Sequence, residues 1–310
     1  MRKKITVAVL AGGDSAERNV SLESGKAVAA ALKKRGFNVL RFDPAKDLVK
    51  FIQQKDKIDI VFPALHGRGG EDGSLQGLLE FLGLRYVGSR MPGMIVSFDK
   101  VAAKGIFRMN KLPTARDYVA SQFDLDAVEK AWKRIGRPAF VKPAVEGSSF
   151  GASIVNKKSD LIPALRKAWK FGPTALVEEY IRGTEVSVGV LQTEGGLQAL
   201  PPIEICSKRK FFDLKAKYNP RFCREIVPAR LSPLLTMKVQ TLAREAHYVL
   251  GLKDLSRTDM LIRQNQIYLL ETNTIPGLTP VSLYPQEAAA AGIDFPELCE
   301  RLIALNIPGK

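Results

Sequence analysis

Two apolar runs near the start of the chain, KITVAVL (Lys4–Leu10) and DIVFPAL (Asp59–Leu65), each pass directly into a glycine-rich polar turn. Short apolar runs with little alternation read as strands buried on both faces, as in a covered parallel sheet. What lies between them agrees. SLESGKAVAAALKKRG keeps Val28, Ala31 and Leu32 at helical spacing, with Ser21 as a candidate N-cap and Gly36 as a stop. NVLRF (Asn38–Phe42) is a further strand, GSLQGLLEFLG a short helix and RYVGS another strand. Strands separated by helices predict a parallel sheet with crossover helices. Ligands of such sheets gather beyond the carboxyl ends of the strands, where both glycine turns fall.

From Asp99 the pattern changes. DKVAAKGIFRMN is helical, PTARDYVA approaches a strand and DAVEKAWKRIG is helical again. PAFVKPAVEGSSFGASIVN reads as two antiparallel strands joined by a glycine-serine loop, followed by a helix from about 160 to 171 and the strand TALVEEYI. Beyond Gly183, TEVSVGVLQTEGGLQALPPIEI suggests a hairpin around Gly195–Gly196, and LSPLLTMKVQTLAREAHYVLGL carries Leu231, Leu234, Leu235, Val239, Leu242, Ala246 and Val249 on one helical face. Two strands and two helices close the chain. The expected organisation is an α/β region at 1–96 followed by α+β regions at 97–182 and 183–310.

No apolar run is long enough to span a bilayer. The basic start, MRKKITVAVLAGG, imitates a secretory leader, but its apolar run is brief and enters a patterned strand and glycine turn. Three widely spaced cysteines, Cys206, Cys223 and Cys299, suggest a reducing cytosol and no disulfide framework. No Cys/His spacing resembles a zinc site. The net charge of +15 asks for a partner or an explanation. Its densest stretch, SKRKFFDLKAKYNPRFCREIVPAR (Ser207–Arg230), holds eight Lys/Arg against two acids and reads as a loop. The aromatics in it invite a nucleic-acid reading, yet no helix-turn-helix, RNP or zinc-finger pattern accompanies them. A solvated basic surface accounts for most of the excess, and a phosphate-rich small substrate for the rest.

The sharpest geometric inference concerns SRTDMLIRQNQIYLLETNT (Ser256–Thr274), two β-rich runs around a polar turn. With Gln264–Asn265–Gln266 as the loop, Arg263 pairs with Ile267, Asp259 stands opposite Glu271, and Arg257 opposite Asn273. Side chains alternate with period two, so all four share a face. Directly opposed carboxylates, roughly 5 Å apart at Cβ, repel unless something offsets them. Two acids and an amide oxygen suit Mg²⁺ holding a triphosphate. The other open reading is a surface ladder of charges with Arg257 as a simple ion-pair partner. The glycine-serine loop KPAVEGSSFG offers Lys142, two hydroxyls and exposed backbone N–H groups, which suits phosphate or merely a flexible hairpin tip. It lacks Walker spacing, and no Rossmann fingerprint follows the first strand.

Taken together, AGGDSAERNVSLESG, HGRGGEDGSLQG, KPAVEGSSFGAS, RTDMLI and LLETNTIPGLTPVSLYP resemble, in order and along nearly the whole chain, the motifs of D-alanine–D-alanine ligases. The resemblance implies an ATP-grasp fold, with an N-terminal parallel α/β domain preceding two α+β domains that hold ATP between them. It implies ATP-driven joining of two D-alanines through an acyl phosphate for peptidoglycan synthesis, in the cytoplasm, by a homodimer that needs two Mg²⁺ or Mn²⁺ ions and neither nucleic acid nor membrane.

Residue by residue, the resemblance makes Glu17 the receiver of the first substrate's ammonium, with Ser148 and Tyr218 linked to it across the closed site. Arg257 and the Gly277 N–H stabilise the oxyanion. His66 lies on the substrate side, while Glu71 and Asp72, apart from the resemblance, read simply as caps of the helix that follows, a role acids fill well. Ser282 and Leu283 take the second carboxylate, and Asp259, Glu271 and Asn273 hold metal. Lys100, Lys142 and Lys217 meet phosphates, Glu178 the adenine amine, the Tyr180 and Ile181 backbone the adenine edge, and Glu185 the ribose. The basic stretch then includes a lid, in which Leu214 and Lys215 depart from the aromatic and acid frequent in the family. Tyr218 favours an amine acceptor over D-lactate; D-lactate or D-serine as acceptor is the alternative.

Overall fold

In the computed structural model the described residues are 4–124, 126–207 and 223–307. The first region alternates β1 (Thr6–Leu10), α1 (Arg18–Lys34), β2 (Asn38–Phe42), α2 (Pro44–Gln53), β3 (Ile60–Pro63) and α3 (Ser74–Phe81). The strands form a parallel sheet in the order β2-β1-β3. β1 is buried along its whole length, as its unbroken apolar run requires. Two expectations change here. RYVGS makes only an isolated parallel bridge, Tyr86 to Val61, rather than a fourth strand. Ser21 is not an N-cap: α1 begins at Arg18, and Ser21 is buried within it. Its hydroxyl donates to the Ala64 carbonyl and accepts from the Gly12 N–H, so it pins the two glycine turns together.

α4 (Met91–Phe98), which has Pro92 in its first turn, leads into α5 (Lys100–Met109). Asp99 caps α5 by accepting from the N–H groups of Val101 and Ala102. Next come β4 (Asp117–Ser121), α6 (Ala127–Ile135), β5 (Ala139–Pro143), β6 (Ser153–Val155), α7 (Leu161–Ala168) and β7 (Thr174–Glu179). They form an antiparallel sheet, β4-β7-β5-β6, packed on α6 and α7.

The third region holds β8 (Thr184–Thr193), β9 (Gly196–Ala199), β10 (Ile203–Ser207), β11 (Cys223–Ile226), α8 (Pro233–Val249), β12 (Leu255–Arg263), β13 (Gln266–Asn273), α9 (Leu283–Ala290) and α10 (Phe295–Ala304). Its sheet runs β11-β10-β8-β12-β13, with β9 also on β8. Part of the stretch read as a loop is thus strand β11, paired to β10. α5 and α8 cover one face of this sheet through Phe107, Val239, Ala243 and Met260. The other face joins the first region. Leu191, Leu255, Tyr284, Leu298 and Leu302 share one core with Val7, Val9, Val28 and Leu32.

Candidate active site

Between the central and C-terminal sheets lies a cavity of about 450 Å³, within the range of small-ligand sites. Lys142 of β5, Glu178 of β7, Glu185 of β8, Asp259 of β12 and Glu271 of β13 line it, with Lys100, Tyr180 and Ile181. A second cavity, of about 160 Å³, is lined by Glu17, His66, Ser148, Arg257, Asn273, Gly277, Ser282 and Leu283. Every expected site residue among the described ones therefore faces one of the two cavities. Lys217 and Tyr218, with Leu214 and Lys215, lie outside the described residues.

The β12–β13 face borders both cavities. Asp259 pairs with Glu271 and Arg257 with Asn273, as the sequence suggests, but by a different route. The turn is the two-residue Gln264–Asn265, both at positive φ, so Arg263 meets Gln266 and not Ile267. That register alone would set Leu270 opposite Asp259. A β-bulge between Met260 and Asp259 restores the pairing with Glu271.

Asp259 is buried and fully engaged. Arg257 binds it at 3.0 and 2.9 Å, Ser187 Oγ donates at 2.5 Å and Asn273 Nδ2 at 3.1 Å. Burial would lower the Arg257 pKa, but the Asp259 carboxylate overturns that and raises it. Lys100 Nζ sits 3.2 Å from Glu271 Oε2 and donates to the Glu146 carbonyl at 2.5 Å, so a cation already stands beside this face. The donor chemistry fits a hard divalent ion. Turning the Asn273 amide over would present its Oδ1 in place of Nδ2 and leave Asp259 Oδ2 with Arg257 as its one remaining donor, which opens a lone pair for such an ion. Among the described residues no cluster of three His, Cys, Asp or Glu offers another metal site.

In the larger cavity, Glu178 accepts from Lys142 at 2.8 Å and from Lys104. Burial would push its pKa up; Lys142 and then Lys104 reverse this and hold it at about 2. Phe140 and Tyr180 stack with centroids 6.4 Å apart, which supplies an apolar wall.

In the smaller cavity, Ser148 Oγ donates to Glu17 Oε1. Ser148 and Ser149 take φ of 49° and 57°, and an added Cβ at Gly147 would meet Glu17 Oε2 at 2.7 Å. The glycine-serine loop therefore closes onto Glu17 because Gly147 presents no side chain. His66 has both ring nitrogens within the protein network: Nε2 lies 3.0 Å from Ser24 Oγ and Nδ1 3.4 Å from Glu71 Oε1. Glu71 is thus a partner of His66, not a helix cap, and burial raises its pKa. Asp72 alone serves the helix start, accepting from the Ser74 N–H at 3.0 Å. Ser282 is the N-cap residue of α9, and Thr279 Oγ1 holds its hydroxyl at 2.8 Å.

Sequence reasoning missed two groups. Lys104 looks like any helical lysine; only its place one turn after Lys100 hints that it turns inward. Glu225, which lines the smaller cavity and accepts from Gln286 at 2.6 Å, was hidden in a stretch read as loop. Its pKa is raised by burial.

A nucleotide-sized cavity between two antiparallel sheets, with a polar amino-acid-sized one across the β12–β13 face from it, is the arrangement of an ATP-grasp ligase. Comparisons with known proteins agree. Residues 106–304 match the family described as D-ala D-ala ligase C-terminus, and residues 43–89 its N-terminus counterpart. The D-alanine–D-alanine ligase of Syntrophobacter fumaroxidans is 48% identical over 307 residues, covering 98% of each chain. The crystal structure of D-alanine–D-alanine ligase from Bacillus anthracis complexed with ATP superposes with a TM-score of 0.83 at 29% identity, covering 97% of this chain and 96% of that one. The VanG D-Ala:D-Ser ligase from Enterococcus faecalis reaches 0.85 at 28% identity, covering 98% and 100%. The chain belongs to the D-alanine–D-alanine ligase family.

Proposed function

We propose that this chain is a cytoplasmic enzyme that joins two D-alanines, with ATP converted to ADP and phosphate, to supply peptidoglycan precursors. The observation that carries the reading is the Arg257/Asp259/Glu271/Asn273 face, set between a nucleotide-sized and an amino-acid-sized cavity. We take the regions 97–182 and 183–310 as the two halves that hold ATP, and 1–96 as the substrate-side domain.

In this reading Glu17, oriented by Ser148, receives the ammonium of the first D-alanine, on the His66 side of the cavity. Glu178 accepts from the adenine amine, the backbone at Tyr180 and Ile181 meets the adenine edge, and Glu185 the ribose. Lys100 and Lys142 bind phosphates, joined by Lys217. Two Mg²⁺ or Mn²⁺ ions, held by Asp259, Glu271 and Asn273, would offset charge on the triphosphate. The carboxylate oxygen of the first D-alanine attacks the γ-phosphorus and ADP leaves. The second D-alanine, its ammonium first shedding a proton to give the free amine, then attacks the acyl carbon, and a second N–H proton leaves with the phosphate. Negative charge develops on the former carbonyl oxygen, facing the Arg257 guanidinium and the Gly277 N–H. Phosphate departs as the amide forms. The second carboxylate rests on the Ser282 hydroxyl and the Leu283 N–H, where the start of α9 favours an anion. Tyr218 completes the link to Glu17 and Ser148.

The two solved ligases superpose on this chain about equally well, although one is named for D-alanine and the other for D-serine as acceptor. Acceptor choice must therefore be made by pocket residues. Phosphate release measured with ATP, Mg²⁺ and D-alanine as donor, and D-alanine, D-serine or D-lactate as acceptor, tests the reading. D-alanine should be preferred by at least about tenfold. Preference for D-serine or D-lactate would transfer the chain to the alternative acceptor class, and inertness towards D-alanine would overturn the reading.

A further inference from the structure

Lys104 lies in α5, one turn beyond Lys100, with its side chain 1% exposed. It does not line the nucleotide cavity. Its ammonium donates to the Ala115 carbonyl at 3.1 Å and to Glu178 Oε1, and stands 3.5 Å from Asp117 Oδ1. A lysine this dry is tolerated only where its charge is paired. The partner here is a carboxylate that does face the cavity, and its second oxygen is held by Lys142 at 2.8 Å. Glu178 is therefore fixed at both oxygens, from behind by a lysine outside the cavity and from the side by one within it.

An ionised carboxylate only accepts hydrogen bonds. A 6-aminopurine presents an N–H₂ donor to such a group. A 6-oxopurine presents a lone pair, which a fixed acceptor opposes. Without Lys104, Glu178 could turn towards Lys142, or take up a proton and donate to a 6-oxo group.

We propose that Lys104 is a positioning residue that sets nucleotide-base selectivity: by holding Glu178 in place as an acceptor, it makes the cavity favour a 6-aminopurine over a 6-oxopurine. This rests on the reading that Glu178 faces the base of ATP. The test compares kcat/KM for ATP and for ITP, at saturating D-alanine and Mg²⁺, in the wild type, Lys104→Met, Lys104→Arg and Glu178→Gln.

Lys104→Met lowers the ATP-to-ITP ratio by about tenfold or more, the scale of one hydrogen bond to a charged group. The change falls mainly on the nucleotide KM, leaves the D-alanine KM unchanged, and is partly reversed in Lys104→Arg. A merely structural lysine would lower turnover of both nucleotides together and leave the ratio alone, which would overturn the proposal. Should the methionine variant not fold, Lys104→Gln, which removes the charge but keeps a donor, is judged by the same ratio. Glu178→Gln separates the two levels of the argument. If it leaves the ratio unchanged, the placement of the base at Glu178 fails as well. If it lowers the ratio while the Lys104 variants do not, only the role of Lys104 falls.

Discussion

At Arg257, burial and charge act in opposite directions, and the Asp259 carboxylate decides the outcome in favour of a permanent cation. The fork geometry matters as much as the charge, because both Asp259 oxygens are engaged. Arg257→Lys keeps the charge and loses the fork. We expect turnover to fall roughly 10²–10³-fold, the usual scale for one oxyanion donor, with ATP affinity nearly unchanged. Equal turnover in the lysine variant would remove Arg257 from the chemistry. Glu178 makes a different, pH-dependent prediction. Its folded pKa of about 2 lies below its ordinary 4.5, so the stability it confers is complete above pH 4.5 and is lost as pH falls towards 2. Glu178→Gln should melt well below the wild type at neutral pH, on the scale of roughly 3–5 kcal/mol for a broken buried pair. That gap should narrow between pH 4.5 and 2; a gap independent of pH would contradict the linkage. That Arg257, Asp259, Glu271 and Asn273 share one face was legible in the sequence because residues two apart on a strand point the same way. Lys104 was not, because whether a helical lysine turns inward depends on a carboxylate distant in sequence, Glu178.

The elements carry their own lesson through the β12–β13 hairpin. The sequence suggests a loop one residue longer, and the bulge supplies the compensating residue, so the Asp259–Glu271 and Arg257–Asn273 pairings match while the turn end does not. Bulges of this kind leave no mark in hydrophobic alternation when the extra residue is itself apolar, as Leu270 is. β11 escaped notice for a related reason, since its Cys-Arg-Glu-Ile sequence lacks a β-branched pattern. Two crowded glycines separate stability from function. An added methyl at Gly25 would stand 2.2 Å from the Ala11 Cβ, where α1 presses on the end of β1. Gly25→Ala should lower stability by about 1–3 kcal/mol. At Gly147 the same methyl would meet Glu17 Oε2 at 2.7 Å, at a loop rather than in the core. Gly147→Ala should leave the melting temperature nearly unaltered and raise the D-alanine KM by about tenfold or more, since it holds the loop off the carboxylate. Thermal melts and initial rates on the two variants check this. The reverse pattern would mean that loop closure onto Glu17 is incidental.

Across the whole molecule, the parallel sheet of the first region and one face of the C-terminal sheet share a single core, so Glu17, His66, Arg257 and Ser282 are mounted on one body. The central sheet, with Lys142 and Glu178, has its own core. Its junction with the rest runs past both cavities, through Arg263–Glu179 and Ser148–Glu17. The alternation of strand and helix made the first region legible, but the sharing of its core with α9 and α10 was not, because it joins residues some 250 positions apart in sequence. Phe81 of α3, 89% exposed, and Ile95 of α4, 48% exposed, leave large apolar surface open on the first region. A second copy of the chain covering it would give the expected homodimer, and Phe81→Glu should then shift the protein to monomer in analytical ultracentrifugation. A wild type already monomeric at micromolar concentration would refute that arrangement.

The β12–β13 face is the joint of the whole account, and the most direct measurement of it is ATP-dependent phosphate release with D-alanine across a Mg²⁺ titration, in the wild type and in Glu271→Gln. The wild type should require ATP, D-alanine and Mg²⁺ together. The variant should keep its fold and lose turnover by about a hundredfold or more at low Mg²⁺, with part recovered at high Mg²⁺. Unaltered turnover and an unaltered Mg²⁺ requirement in Glu271→Gln would contradict the claim that this face holds the ions that hold ATP.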